Sequence, residues 1–167
     1  MRRSSMTLSI LVTVLLSLSF AFLSNANIAN ADGHEQDEAR VKYRQTGMSG
    51  IGNNMGAIGD IMKNRLGMPA AIAIHANQMA DSAALIAPAF KQRIMDGPND
   101  AKAEIWQDWA KFEEAIATYE EAARGLATAA ASGDPKAVGP AMRALGKSCG
   151  GCHKPFRKPK EESYKNQ

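Results

Sequence analysis

Cys149 and Cys152 are the only two cysteines in 167 residues, and His153 directly follows the second. Four chemistries use such a run. A redox dithiol of the thioredoxin type stands at the start of a helix that follows a strand. Zinc wants four ligands, and beyond these three only His34 and His75 remain as histidine donors. A disulfide across two intervening residues closes too small a loop to stabilise much. The fourth is covalent attachment of haem, for which C-x-x-C-H is the local signature. There the two thiols become thioethers at one porphyrin edge and the imidazole faces the iron.

The choice among these depends on the element that carries the run. Val138, Met142, Leu145, Cys149, Cys152 and Phe156 recur at steps of four and three, which predicts a helix with both cysteines on its buried face. Residues three and four apart on a helix point the same way, so Cys149, Cys152 and His153 can address one ring. Gly150 and Gly151 carry no side chain to obstruct it. A helical setting of this kind disfavours the thioredoxin-type dithiol. The sequence therefore implies haem c, held by two thioethers, with its iron bound by His153.

Three further amphipathic stripes supply the scaffold. Val41, Met48, Ile51, Met55, Ile58 and Met62 predict a first helix that stops at Gly67-Met68-Pro69. Ile72, Ala76, Met79, Ala83 and Ile86 predict a second, opened by Pro69 and ended by Pro88. From Ile105 through Trp109, Phe112, Ile116, Tyr119, Ala123, Leu126 and Ala130 a third runs from about Asp100 to Ser132. Gly133-Asp134-Pro135 then reads as a C-terminal glycine, an N-cap and an N1 proline. Pro140 breaks the early fourth helix, so that its regular part begins there. Two short turns and one longer connection make an all-α, antiparallel up-down-up-down four-helix bundle.

The N-terminus, MRRSSMTLSILVTVLLSLSFAFLSNANIANA, has a charged start, an apolar run from Leu8 to Leu23 and small residues before an expected cleavage after Ala31. It reads as a secretory signal peptide over residues 1–31, leaving residues 32–167 as one bundle domain exported to the periplasm. Nothing downstream is apolar enough for a membrane span. The formal charge of +3 includes Arg2 and Arg3 of the leader, so the remaining chain is near neutral, which gives no support for nucleic-acid binding. The basic tail with Arg157, Lys158, Lys160 and Lys165 reads as a solvated end, or as a means of steering an acidic partner.

The other face of the iron needs a cover. Met48 lies about 11 residues, or ~16 Å of helix, from Asp37, and His153 lies about 8 residues, or ~12 Å, from Glu161. In antiparallel first and last helices these heights match. Met48 is thus the candidate for the distal side, whereas Met55 and Met62 read as core. Gly52, Gly56 and Gly59 leave a bare strip on the same helix, open to a porphyrin, another helix or a second subunit.

The arrangement resembles the class II c-type cytochromes. The likeness is carried by Val41-Lys42-Tyr43-Arg44-Gln45 with Met48, by Gly52-Asn53-Asn54-Met55 with Ile58-Gly59, by Glu104-Ile105-Trp106 with Phe112, and by Cys149 to His153 with Arg157. It implies a left-handed bundle with His153 as proximal ligand, Arg44 and Gln45 near the haem propionates, and Arg157 beside the proximal imidazole. Homodimers through the first two helices are also implied. Pro155 falls where the last helix should continue, which predicts a kink there, and Phe156 replaces the family's usual tyrosine. At the position of Met48 the family has either an apolar plug over five-coordinate iron or a thioether ligand. Two functions follow: a non-enzymatic carrier of single electrons that meets redox partner proteins, and a binder of a diatomic gas such as nitric oxide or carbon monoxide.

Overall fold

The computed structural model describes residues 4–166, with side chains from Gly33 onward apart from Pro135. The chain divides into two units, Met1–Ala39 and Arg40–Gln167. Over its described backbone the first unit is helical. The leader expected at 1–31, cleavage point included, lies outside the residues whose side chains are described. Among the described residues no helix is long and apolar enough to cross a membrane.

The second unit is an all-α bundle. Its first helix is residues 40–64 of α1 (Ser4–Asn64). The second comprises α2 (Pro69–Ser82), a 3-10 turn (Ala83–Leu85) and α3 (Ile86–Phe90). The third comprises α4 (Glu104–Gln107) and α5 (Trp109–Ala131), and the fourth is α6 (Pro135–Phe156). Helix α5 packs along both α2 and α6. Ile58, Met79, Ile105, Leu126 and Leu145 are fully buried, one or more from each of the four. The apolar stripes read from the sequence thus converge on a single core, as burial of apolar surface requires.

The turns obey their local chemistry. Gly67 and Gly133 hold φ of +65° and +74°, where a side chain would be strained. After Gly133 the Asp134 carboxylate accepts from Lys136 N at 2.9 Å, and Pro135 opens α6. Replacing Asp134 with alanine removes this cap and should lower stability by about 1 kcal/mol, measured by denaturant unfolding, with the ferrous spectrum unchanged.

Four boundaries differ from the sequence expectation. Pro88 does not end the second helix: the 3-10 turn interrupts it first, and Pro88 sits in the first turn of α3, where a missing N–H is tolerated. The third helix is not continuous. Asp108, with φ −134° and ψ 68°, leaves helical geometry and caps α5 by accepting from Lys111 N at 3.1 Å. Pro140 does not divide α6, which ends one residue after Pro155. Each removes one backbone donor near a helix end, and Pro155 is followed by a closing bond from Arg157 N to His153 O at 3.0 Å. Finally, the basic tail is not a loose end. Residues Ala101 and Arg157 form an isolated antiparallel bridge, and Lys158 N donates to Asp100 O at 2.7 Å.

Candidate functional site

A cavity of about 490 Å³ opens within the bundle between α1, α2, α5 and α6, a size usual for a bound organic cofactor. Along α6 it is lined by Cys149, Cys152 and His153, and along α1 by Arg44, Gln45, Met48 and Met55. Arg157 lies at its edge. Every candidate named from the sequence therefore meets at one place. Met55, read as core, lines the cavity as well as packing on the core. Gly52 also borders it, and an added Cβ there would meet nothing within 4 Å. The same is true at Gly56 and Gly59, so among the described residues nothing presses on that strip.

Helical spacing turns both cysteines to the cavity, where each is half-buried and not joined to the other. Burial pushes the Cys149 thiol up from its ordinary value. Burial and then the neighbouring Cys149 push Cys152 up to about 11. Attacking thiols of dithiol oxidoreductases have the opposite shift, so these groups are poorly suited to exchange. His153 is an exposed residue overall, yet desolvation of its imidazole, followed by the charge of Arg157, pushes its pKa down. The neutral imidazole this favours is the form that binds metal.

The α1 wall is polar at one end. Arg44 is buried at 5% exposure. Its Nε donates to Ala89 O at 2.8 Å and its Nη2 to Gln92 O at 2.6 Å. The guanidinium lies 4.7 Å from the Phe90 ring centroid and 5.6 Å from that of Trp106. Trp106 Nε1 in turn donates to Phe90 O at 2.7 Å. Gln45 Nε2 donates to Pro98 O at 2.6 Å. Both side chains line the cavity while tying α1 to the long connection after α3. Trp106 entered the sequence reading only through the family likeness and Phe90 not at all, and only the crowding of aromatics around 90–112 hints at their pairing beneath Arg44.

Arg157 ends α6 in extended conformation, with its Nη2 3.3 Å from an oxygen of Asp100. That carboxylate also accepts from Ser163 Oγ at 2.9 Å and Tyr164 N at 3.1 Å. Burial alone raises the pKa of Asp100, but the bonds from Tyr164, Ser163 and Arg157, with the charge of Arg157, hold it below the ordinary value. Through this carboxylate Tyr164 and Lys165 come to the cavity rim. Sequence reasoning missed all of it, because Asp100 reads locally as a helix start and its partners lie more than fifty residues away.

The donor set suits a haem: two thiols and an imidazole from one helix face, a thioether across the cavity, and two arginines at its edge. Fold and site together define the class, a helical-bundle c-type haem protein. Comparison with known proteins narrows it. A sequence model of the family described as Cytochrome C' matches residues 39–157. The cytochrome c' of Rhodospirillum rubrum is 34% identical over 145 residues, covering 86% of this chain and 97% of that protein. The solved cytochrome c prime from Shewanella frigidimarina superposes with a TM-score of 0.67 at 30% identity, over 74% of this chain and 97% of that one. A variant of cytochrome c prime from Alcaligenes xylosoxidans, solved in its ferrous form with bound NO, superposes with a TM-score of 0.66 at 29% identity and the same coverage. The chain belongs to the cytochrome c' family, and its cofactor is a covalently bound haem c with iron.

Proposed function

We propose that this chain is a periplasmic carrier of single electrons, with haem attached at Cys149 and Cys152, His153 as proximal ligand and Met48 as distal ligand. One observation carries the reading: the Met48 thioether and the His153 imidazole, from α1 and α6, line the same cavity. Haem c supplies an iron that takes up and returns one electron, and Met/His coordination raises its potential. The chain's part is to hold those two donors in place across a packed core, to keep water from them with Ile116, Phe112 and Phe156, and to bring Arg44 and Gln45 to the carboxylate edge. Arg157 would add a fixed positive charge beside His153. We assign the chain no catalytic reaction. Export rests on the leader at 1–31. Self-pairing through α1 and α2 is supported by the exposed Tyr43 and Ile74 on those helices.

A second reading is capture of a diatomic gas at the distal side. It is favoured by the apolar Ile51 and Met55 flanking Met48 in the cavity wall, and by the NO-bound form of a similar structure. The ferrous absorption spectrum separates the two. A sharp α band insensitive to carbon monoxide is expected for the native protein, and Met48→Leu should convert it to a broad high-spin Soret band that shifts with carbon monoxide. A native spectrum already broad and responsive to carbon monoxide, and unaltered by Met48→Leu, would favour gas binding and remove Met48 as a ligand.

A further inference from the structure

Beside the haem cavity lies a second, open groove in which Lys154, Arg157, Lys158, Lys160 and Lys165 converge with Lys102. Among the described residues Glu162 is the only acidic one lining it. Arg157 is paired with Asp100 at 3.3 Å and Lys102 with Glu104 at 3.5 Å, which leaves Lys154, Lys158, Lys160 and Lys165 as a local excess in a chain whose formal charge is only +3. Chain ends usually fray, and a frayed cationic tail would be an ordinary solvated terminus. Here the tail is held. Lys158 N is bonded to Asp100 O, Lys158 Nζ donates to Asn99 O at 3.3 Å, and the Asp100 carboxylate grips Ser163 and Tyr164. The clamp sets Lys160 and Lys165 beside Lys154 at the end of α6. His153 lines both the groove and the cavity, so the cationic rim and the ligand-bearing wall of the haem site are the same piece of chain.

We propose that this groove is the docking surface for an acidic redox protein, one presenting a cluster of Asp and Glu side chains, and that electrons cross there. The proposal rests on the electron-carrier reading. The step is a one-electron transfer in which this protein is oxidised and the partner reduced, with no proton or group moving. Steering by a charged rim acts on the rate of encounter and weakens with salt.

The test uses the haem-loaded protein in its ferrous state and two one-electron oxidants of opposite charge, ferricyanide and tris(phenanthroline)cobalt(III), followed by stopped flow. Oxidation by ferricyanide should slow with ionic strength and oxidation by the cobalt complex should not. In Lys154→Glu/Lys160→Glu the ferricyanide rate at low salt should fall about tenfold while the cobalt rate rises. Opposite movements are diagnostic, because an altered potential would move both rates the same way. Lys136→Glu, at the other end of α6 and about 27 Å from Lys154, should change neither rate near 0.1 M salt, where the screening length is about 10 Å. Equal effects from Lys136→Glu, or rates indifferent to the sign of the probe, overturn the docking surface while leaving the carrier intact. Loss of oxidation by both probes sinks the carrier reading instead. Co-sedimentation with phosphatidylglycerol vesicles that the double variant abolishes, without any change in probe rates, would assign the groove to a lipid surface and overturn the proposal.

Discussion

A chain with serine at both Cys149 and Cys152 should carry no covalent haem: after denaturing electrophoresis the haem stain of the native protein should vanish, with protein stain unchanged. The expectation follows from geometry. The two thiols stand three residues apart on one helix, both facing a cavity of about 490 Å³ whose walls are mostly apolar side chains. A hydroxyl forms no thioether, so nothing would hold the ring once the chain unfolds. Each single serine variant should keep a stain through its remaining thioether, weaker because one attachment is gone. Native spectra should then show whether His153 alone retains haem in the double variant. A double variant that still stains would place the attachment elsewhere and overturn the site as drawn. Disulfide chemistry predicts the reverse pattern, no stain in the native protein and thiol-dependent mobility on the gel.

Much of this was legible in the sequence because it is local. Every residue of the α5 stripe except the half-buried Trp109 is buried, and the stripe of α6 delivers Cys149 and Cys152 to the cavity as its spacing requires. The cap at Asp134 and the left-handed Gly133 were likewise written in adjacent residues. What failed depends on partners distant in sequence or on competing local bonds. Asp108 breaks the third helix because its carboxylate prefers Lys111 N, although the apolar period runs straight through it. Pro140 looks like a breaker in isolation, but packing of Val138 and Leu145 into the core holds the helix across it. Asp100 is the clearest case. Its neighbours suggest a helix start, whereas its carboxylate is taken by Arg157, Ser163 and Tyr164 of the tail. No periodicity carries that pairing, and with it went the placement of Tyr164 and Lys165 at the site.

The core position with the largest expected effect is Phe112. It is 2% exposed and lies at the centre of an aromatic group. Its ring centroid is 5.4 Å from that of Phe90, 5.5 Å from Trp109 and 5.2 Å from Phe156, the first and last edge-on. These rings come from α3, α5 and α6, so one side chain links three of the four helical layers and also borders the cavity. Truncation to alanine loses the transfer energy of the ring and leaves a void that fixed helices fill poorly, about 3–5 kcal/mol by analogy with other buried aromatics. Against a domain stability of about 5–15 kcal/mol this is a large share, and thermal unfolding of the haem-loaded protein should shift down by about 10 °C or more. Phe112→Leu, which keeps most of the volume, should lose much less. Trp109→Ala should also lose less, since that ring is only half-buried. Phe90 stacks on the Arg44 guanidinium and Phe156 directly precedes Arg157, so a loosened Phe112 site reaches both ends of the cavity. A stability loss in Phe112→Ala no greater than in Trp109→Ala would mean that these rings pack independently, and that the cavity walls are held by the apolar stripes alone.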